Sequence, residues 1–264
     1  MTIPSNKSFD AVAKTYDRFR PGYPIELFET IYDYEPIGAG STVLEIGSGS
    51  GKATEPILST GCSLTAVEPG INFCAILKDR FAAYHGFTVL QSTFEDADLP
   101  NQSYDLVFSA TAFHWVPQTI GYQKVFSILK PGGAFARFHN RPYRCPDDPV
   151  LGDRIDRIYG RYYYPFYGKP AVKYRPFTKQ QAEEIAAIAK GYGFSDIACH
   201  LFYRDRVFTA KEYIELLNTY SDHLALKDAV KLPFFAELEA AILEHGGSIT
   251  LRDTIDLQLA RKPY

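Results

Sequence analysis

The chain has 264 residues, 46% hydrophobic and 22% charged, a globular composition with enough apolar material for one large α/β domain. Lysine and arginine number 28 against 31 acidic residues, a net charge of −3, so no overall basic field draws the protein to nucleic acid or to a membrane surface. No apolar run approaches the roughly 18 residues of a spanning helix, the first residues lack a signal-peptide core, and Cys62, Cys74, Cys145 and Cys199 have no C-x-x-C spacing, so a cytoplasmic chain with reduced thiols and no metal site is expected.

In chain order, Phe9, Val12, Ala13, Tyr16 and Arg20 fall on one face of a helix over 8–19, which Arg20-Pro21-Gly22-Tyr23-Pro24 breaks. A second helix covers 25–34. Val43–Ile46 is a short buried strand ending in the turn Gly47-Ser48-Gly49-Ser50-Gly51, with a short helix from near Lys52 to near Gly61. Leu64–Val67 is a second strand ending at Glu68-Pro69, and a helix follows over 71–84, closed by Gly86. Thr88–Glu95 is a third strand and its exit. Tyr104–Ser109 is a fourth strand, with Ala110–Trp115 as its exit loop. A helix spans about 118–129, and Leu129–Phe135 reads as a helix end, a turn and a fifth strand. Such strand–helix alternation predicts a parallel sheet with helices on both faces.

The segment from His139 to Phe177 has a different composition. Seven tyrosines lie between 141 and 177, where eight basic residues meet only four aspartates. Basic and aromatic side chains together suit an anionic substrate or a nucleic acid, and they equally suit a solvated cover whose tyrosines bury their rings. Thr178-x-x-Gln181 and Thr209-x-x-Glu212 are capping boxes, each opening a helix. Asp196–Val207 reads as a sixth strand. A helix spans about 232–245, and Leu251, Ile255, Leu257 and Leu259 mark a seventh strand.

The glycine turn excludes two phosphate-binding readings. A P-loop requires a hydroxyl where Ala53 stands and a glycine where Ile46 stands, and a dinucleotide fingerprint requires a glycine at Lys52. What remains is an acid before three alternating glycines (Glu45, Gly47, Gly49, Gly51), with a second acid, Glu68, 23 residues after the first. With the strand exits at Thr93-Phe94-Glu95, Ser109–Trp115 and Pro131-Gly132-Gly133, this order resembles the class I S-adenosylmethionine-dependent methyltransferases from about Ser41 to His139. The Phe113-His114-Trp115 run is similar to small-molecule members of the trans-aconitate type.

The resemblance implies a Rossmann-like, doubly wound α/β fold. Its seven-stranded sheet is mostly parallel with an antiparallel last strand, and it carries a helical lid. One methyltransferase domain fills 1–264: an N-terminal helical cover at 8–34, a cofactor-binding core at 41–139, a lid insertion at 140–177, and helices and strands at 178–264 that complete the sheet. The implied cofactor is S-adenosyl-L-methionine. Glu45, Gly47, Ser48, Gly49 and Gly51 are to hold its methionine part and Glu68, with Pro69, its ribose. Thr93, Phe94 and Glu95 are to flank the adenine, with Ser109 and Thr111 near the methyl group. Tyr16 and Arg20 either reach the methionine end or are ordinary packing and surface residues. Tyr23, His114, Trp115, His139 and Asn140 are to line the substrate pocket. His114 serves there as general base, as a positioning group or as a plain loop residue, because no acidic partner for it is evident. The implied function is methyl transfer by in-line displacement to a small, anionic metabolite, a carboxylate included. An RNA methyltransferase and a catalytically silent cofactor-binding module are the alternatives. The expected partner is a small-molecule acceptor, with no nucleic acid and no membrane.

Overall fold

The computed structural model describes residues 22–145, 147–172 and 175–264. The expected helix over 8–19, with Tyr16 and Arg20, lies outside them. From Gly22 onward the chain alternates as expected: α1 (Ile25–Tyr34), β1 (Thr42–Ile46), α2 (Thr54–Leu58), β2 (Ser63–Val67), α3 (Ile71–Arg80), β3 (Phe87–Leu90), β4 (Tyr104–Ala110), α4 (Gln118–Ile128) and β5 (Leu129–Arg144). Then come α5 (Pro149–Phe166), α6 (Lys179–Ala187), β6 (Ser195–Thr209), α7 (Ala210–Leu217), α8 (Ser221–Leu224), α9 (Asp228–Glu244) and β7 (Ser248–Arg261). Both capping boxes form, with Thr178 and Thr209 each accepting from the backbone N–H three residues on.

The seven strands make one sheet in the order β3-β2-β1-β4-β5-β7-β6. β1 pairs in parallel with β2 and β4, β2 with β3, and β4 with β5. The last strand runs the other way. Lys262 N–H donates to Gly133 at the start of β5, while Cys145 N–H, just past the end of β5, donates to Thr250 near the start of β7. β7 is antiparallel to β6 as well, since Ser195 bonds Arg261 while Arg252 pairs with Asp205.

Two compact units divide the chain: 21–140, 177–202 and 255–264 form one, and 141–176 with 203–254 belong to the other. The larger unit has a core on each sheet face. One face carries Leu106, Phe108, Ala134, Ala136, Phe138, Ile255 and Leu257 under Leu27, Phe28 and Ile31 of α1. The opposite face carries Leu44, Ile46, Val107, Phe135 and Ala260 under Tyr122, Val125 and Ile128 of α4. Strands covered on both faces read as continuous apolar runs, as β1 and β4 do. The smaller unit has its own core from α5, α7 and α9. At its centre the buried His223 bonds Asp222 through Nδ1 and Tyr159 through Nε2, each at 2.9 Å. Two arginines of β6, Arg204 and Arg206, neutralise the fully buried Asp253 of β7.

Local boundaries depart from expectation in three places. α3 ends at Arg80, not at residue 84, because Phe81 turns into the core against the glycine turn. The turn expected at Pro131-Gly132-Gly133 is a bulge within β5. β4 advances two residues from Tyr104 to Leu106 while its partner on β5 jumps from Leu129 to Ala134, with Gly132 at φ +78°. β5 also runs on to Arg144, so residues 140–144, expected in an insertion, are strand.

Gly51 has φ +87°, and a Cβ there would lie 2.6 Å from the Phe81 ring. Replacing it with alanine is expected to cost about 3 kcal/mol from left-handed strain plus overpacking. The same change at Gly168, also left-handed but with open space around it, costs about 1 kcal/mol from strain alone. Urea denaturation of the two variants tests the difference.

Candidate functional site

The carboxyl ends of β1, β2 and β4 meet at the glycine turn, with the middle of β5 beside the exit of β4. Gly47, Gly49 and Gly51 all have positive φ, at +70°, +53° and +87°. Left-handed backbone at alternate positions exposes main-chain N–H groups on the inside of the turn. The exit of β4 presses on that turn, since a Cβ on Gly47 would lie 2.5 Å from Ala112 Cβ. Thr111, just before it, is itself left-handed at φ +55°, unusual for a β-branched residue. Three bonds hold it: its N–H donates to Phe138 O, Tyr23 Oη meets its hydroxyl at 2.8 Å, and the Asn140 N–H donates to that hydroxyl at 3.1 Å.

Two carboxylates lie beneath the turn. Glu45 is fully buried and accepts the Thr54 hydroxyl through Oε2 at 2.5 Å, while its Oε1 has no hydrogen-bond partner among the described residues. Burial pushes its carboxyl up to about 7; the Thr54 and Ser48 hydroxyls pull the other way, and the neighbouring Glu68 adds to the rise. Glu68, at the end of β2, accepts the Gly49 N–H through Oε2 and the Gly70 N–H through Oε1, both at 2.8 Å. It thereby fastens the glycine turn to the start of α3. The hydroxyl of Ser50 is likewise buried without a partner among the described residues, as is Oδ1 of Asn140.

A ring cluster stands beside the turn. Phe113–Trp115 forms one 3₁₀ turn after β4. His114 lies 5.0 Å from Trp115 and 4.8 Å from His139 of β5, centroid to centroid. Tyr23 meets Phe138 edge-on at 4.8 Å.

Comparison with known proteins agrees with this arrangement. A methyltransferase-domain family model matches residues 43–133. An uncharacterised methyltransferase of Schizosaccharomyces pombe is 25% identical over 238 residues, 89% of this chain and 87% of its own length. One from Mycobacterium bovis is 32% identical over 57% of this chain and 59% of its own. Among solved structures, a protein of Anaeromyxobacter dehalogenans assigned to the type II methyltransferases is similar in fold. Its TM-score is 0.65 at 20% identity, over 93% of this chain and all of its own. The phosphoethanolamine N-methyltransferase 2 of Haemonchus contortus, solved with phosphomonomethylethanolamine and S-adenosylhomocysteine, gives 0.57 at 16%, over 99% and 61%. Residues 43–133 are matched as a methyltransferase domain.

Within and around this methyltransferase domain the structure brings most residues singled out in the sequence to the carboxyl ends of the central strands. Glu45, Gly47, Ser48, Gly49, Gly51, Glu68, Pro69 and Thr111 surround the glycine turn, and Tyr23 and Asn140 join them through Thr111. Ser109 is buried and donates to Ile46 O, tying β4 to β1. Thr93 bonds Asp96 and shapes the exit of β3. Phe94 is buried in the core beneath Lys124, which also donates to Glu95 O. Sequence reasoning missed Thr54 and Gly70, which orient the two acids. It also missed Asp256 and Gln258, buried polar residues on β7. Thr54 and Gly70 lie at helix starts directly after the two strand ends. Alternation along β7 gave no sign that its polar face is covered too.

Because the folded-state pKa of Glu45 lies above its ordinary 4.5, its contribution to stability is full below about pH 4.5 and is lost as pH rises through about 7. Glu45→Gln removes that dependence. Between pH 4.5 and 8 the stability difference is expected to shift in favour of the variant by about 3 kcal/mol, read by urea denaturation of the ligand-free protein at each pH.

Proposed function

We propose that the glycine turn and its two buried acids hold S-adenosylmethionine, and that the enzyme passes the methyl group to a small polar metabolite. The observation that carries this reading is the buried Glu45 carboxylate under three left-handed glycines, with one oxygen lacking a hydrogen-bond partner among the described residues. A buried carboxylate without a cation is costly, and an ammonium group delivered into the turn answers it. The backbone N–H groups of the turn suit the carboxylate of the same amino-acid moiety. Glu68, held at the end of β2 by the Gly49 and Gly70 N–H groups, is the acceptor we assign to the ribose hydroxyls. When bound, this cofactor supplies a methyl group already activated by a sulfonium centre. The protein has then to align an acceptor roughly 3 Å away and exclude water.

Tyr23, Thr111, His114, Trp115, His139 and Asn140 are the residues we assign to the acceptor side. They offer aromatic surface together with donors and acceptors, which suits a small metabolite, an anionic one included. Three of the eight basic residues of 141–177, Arg144, Arg154 and Arg161, pair with Asp156, Glu244 and Glu237 within their own unit, which weighs against RNA.

Isothermal titration with S-adenosylhomocysteine is expected to give micromolar binding in the intact protein. Gly49→Arg abolishes it by filling the turn, and Glu68→Ala weakens it at least tenfold by releasing Gly49 and Gly70 as well as the ribose. Absence of binding by the intact protein overturns the proposal.

A further inference from the structure

The sheet order carries the cofactor reading one strand further. The turn after β1 and Glu68 at the end of β2 are the places assigned above to the amino-acid and ribose parts, and β3 is the next strand outward. Neighbouring strands lie about 4.8 Å apart, so a base attached to that ribose and lying along the carboxyl ends of the strands meets the exit of β3. That exit begins beside Glu68, whose N–H donates to Leu90 O and whose carbonyl accepts the Ser92 N–H. The chain then turns over 93–97. Ala97 N–H donates to Thr93 O at 3.0 Å, and the Thr93 hydroxyl donates to Asp96 Oδ2 at 2.8 Å while accepting the Asp96 N–H. Phe94 is buried and anchors the turn in the core. From α4, the ammonium of Lys124 donates to Glu95 O at 2.9 Å and to Ala97 O at 2.5 Å, and it stands 5.3 Å from the centre of the Phe94 ring. One ammonium thus bridges two carbonyls of the turn. Burial lowers the Lys124 amine, and attraction to Asp96, Glu95 and Asp98 opposes that fall.

Three carboxylates gather at this turn, and an ionised carboxylate only accepts hydrogen bonds. Asp96 is taken by the Thr93 hydroxyl and Asp98 is exposed, which leaves the half-buried Glu95 as the acceptor for a base. The donor on the purine edge is the exocyclic amine of adenine, and a 6-oxo base places an acceptor oxygen at the same position. Resting on the cofactor reading above, we infer that Lys124 is a positioning residue for the base of the cofactor: it holds the exit of β3 in the shape that sets the Glu95 carboxylate against the adenine amine. Lys124 acts through the turn and not on the base. Its two bonds fix the carbonyls of Glu95 and Ala97, so the Glu95 side chain leaves the backbone at one defined place. Its charge also offsets the mutual repulsion of the acids at 95, 96 and 98. Methionine at this position keeps the apolar stem and loses both bonds, whereas arginine keeps the charge and the donors.

The test titrates the whole protein with S-adenosylhomocysteine and with S-inosylhomocysteine, its 6-oxo analogue. The intact protein is expected to prefer the adenine compound about tenfold, the effect of one hydrogen bond to a charged group. Equal affinities in the intact protein overturn the inference before any variant is made. In Lys124→Met the adenine compound is expected to weaken about tenfold and the analogue less than about twofold, so the preference collapses, while Lys124→Arg retains it. Glu95→Ala is expected to lose the same preference, and the double variant to lose no more than either single one, because both act through one contact. A preference unchanged in Lys124→Met overturns the inference. Equal weakening of both compounds does so too, since a lysine that only stabilises the fold produces that result. A measurement on the intact protein needs no variant to fold: S-adenosylhomocysteine is expected to protect Lys124 from acylation by an N-hydroxysuccinimide ester, read by peptide mass, and absence of protection overturns the positioning role. Failure of the intact protein to bind either compound removes the cofactor reading itself and is read separately in the same titration.

Discussion

Two buried carboxylates within one strand–turn–helix corner constrain everything around them. Glu68 draws the N–H groups of Gly49 and Gly70 toward a single side chain, so the turn after β1 and the start of α3 are fixed to each other. Glu45, deeper and fully buried, is stabilised by Thr54 at the start of α2. Desolvation opposes charge on Glu45, and the proximity of Glu68 opposes it further. The ligand-free corner thus holds charge at a cost that a cationic ligand group reduces. A binding site that stores unfavourable electrostatics in the absence of its ligand converts that cost into affinity when the ligand arrives.

The second constraint is steric. Ala112 occupies the space a side chain at Gly47 would need, and Phe81 does the same at Gly51. These glycines therefore serve both conformation and proximity, letting the exit of β4 and the end of α3 close on the turn from two directions. Thr111 adopts a left-handed conformation in the same region and is held by Tyr23, Phe138 and Asn140. A strained residue tied down from three sides at a strand exit is rigid by construction, which suits a group that has to present an acceptor in one orientation.

Most of the strand order and the corner itself were legible in the sequence because they depend on local chemistry. An apolar run ending in an acid and alternating glycines is a short-range pattern, and so are the capping boxes at Thr178 and Thr209. The boundaries that differed depend on distant partners. The length of α3 is set by Phe81 filling the space beside Gly51, and the bulge at Gly132 by the register between β4 and β5. Phe94 likewise carries no local mark of being core, yet it packs with Leu44 and Val67 from strands far from it in the chain.

By itself the sequence determined that the chain has a glycine corner flanked by Glu45 and Glu68, that it alternates strands and helices, and that it places a histidine at the exit of the fourth strand. Each of these follows from residue type and spacing. Only the tertiary structure decided which groups meet. Asp256 lies more than a hundred residues from His139, and alternation along β7 marks its polar face as solvent-facing. β7 slots between β5 and β6, so both its faces are covered and the aspartate is buried on a strand beside the histidine's. Cross-strand register across an antiparallel insertion is a property of the assembled sheet, and no local pattern encodes it.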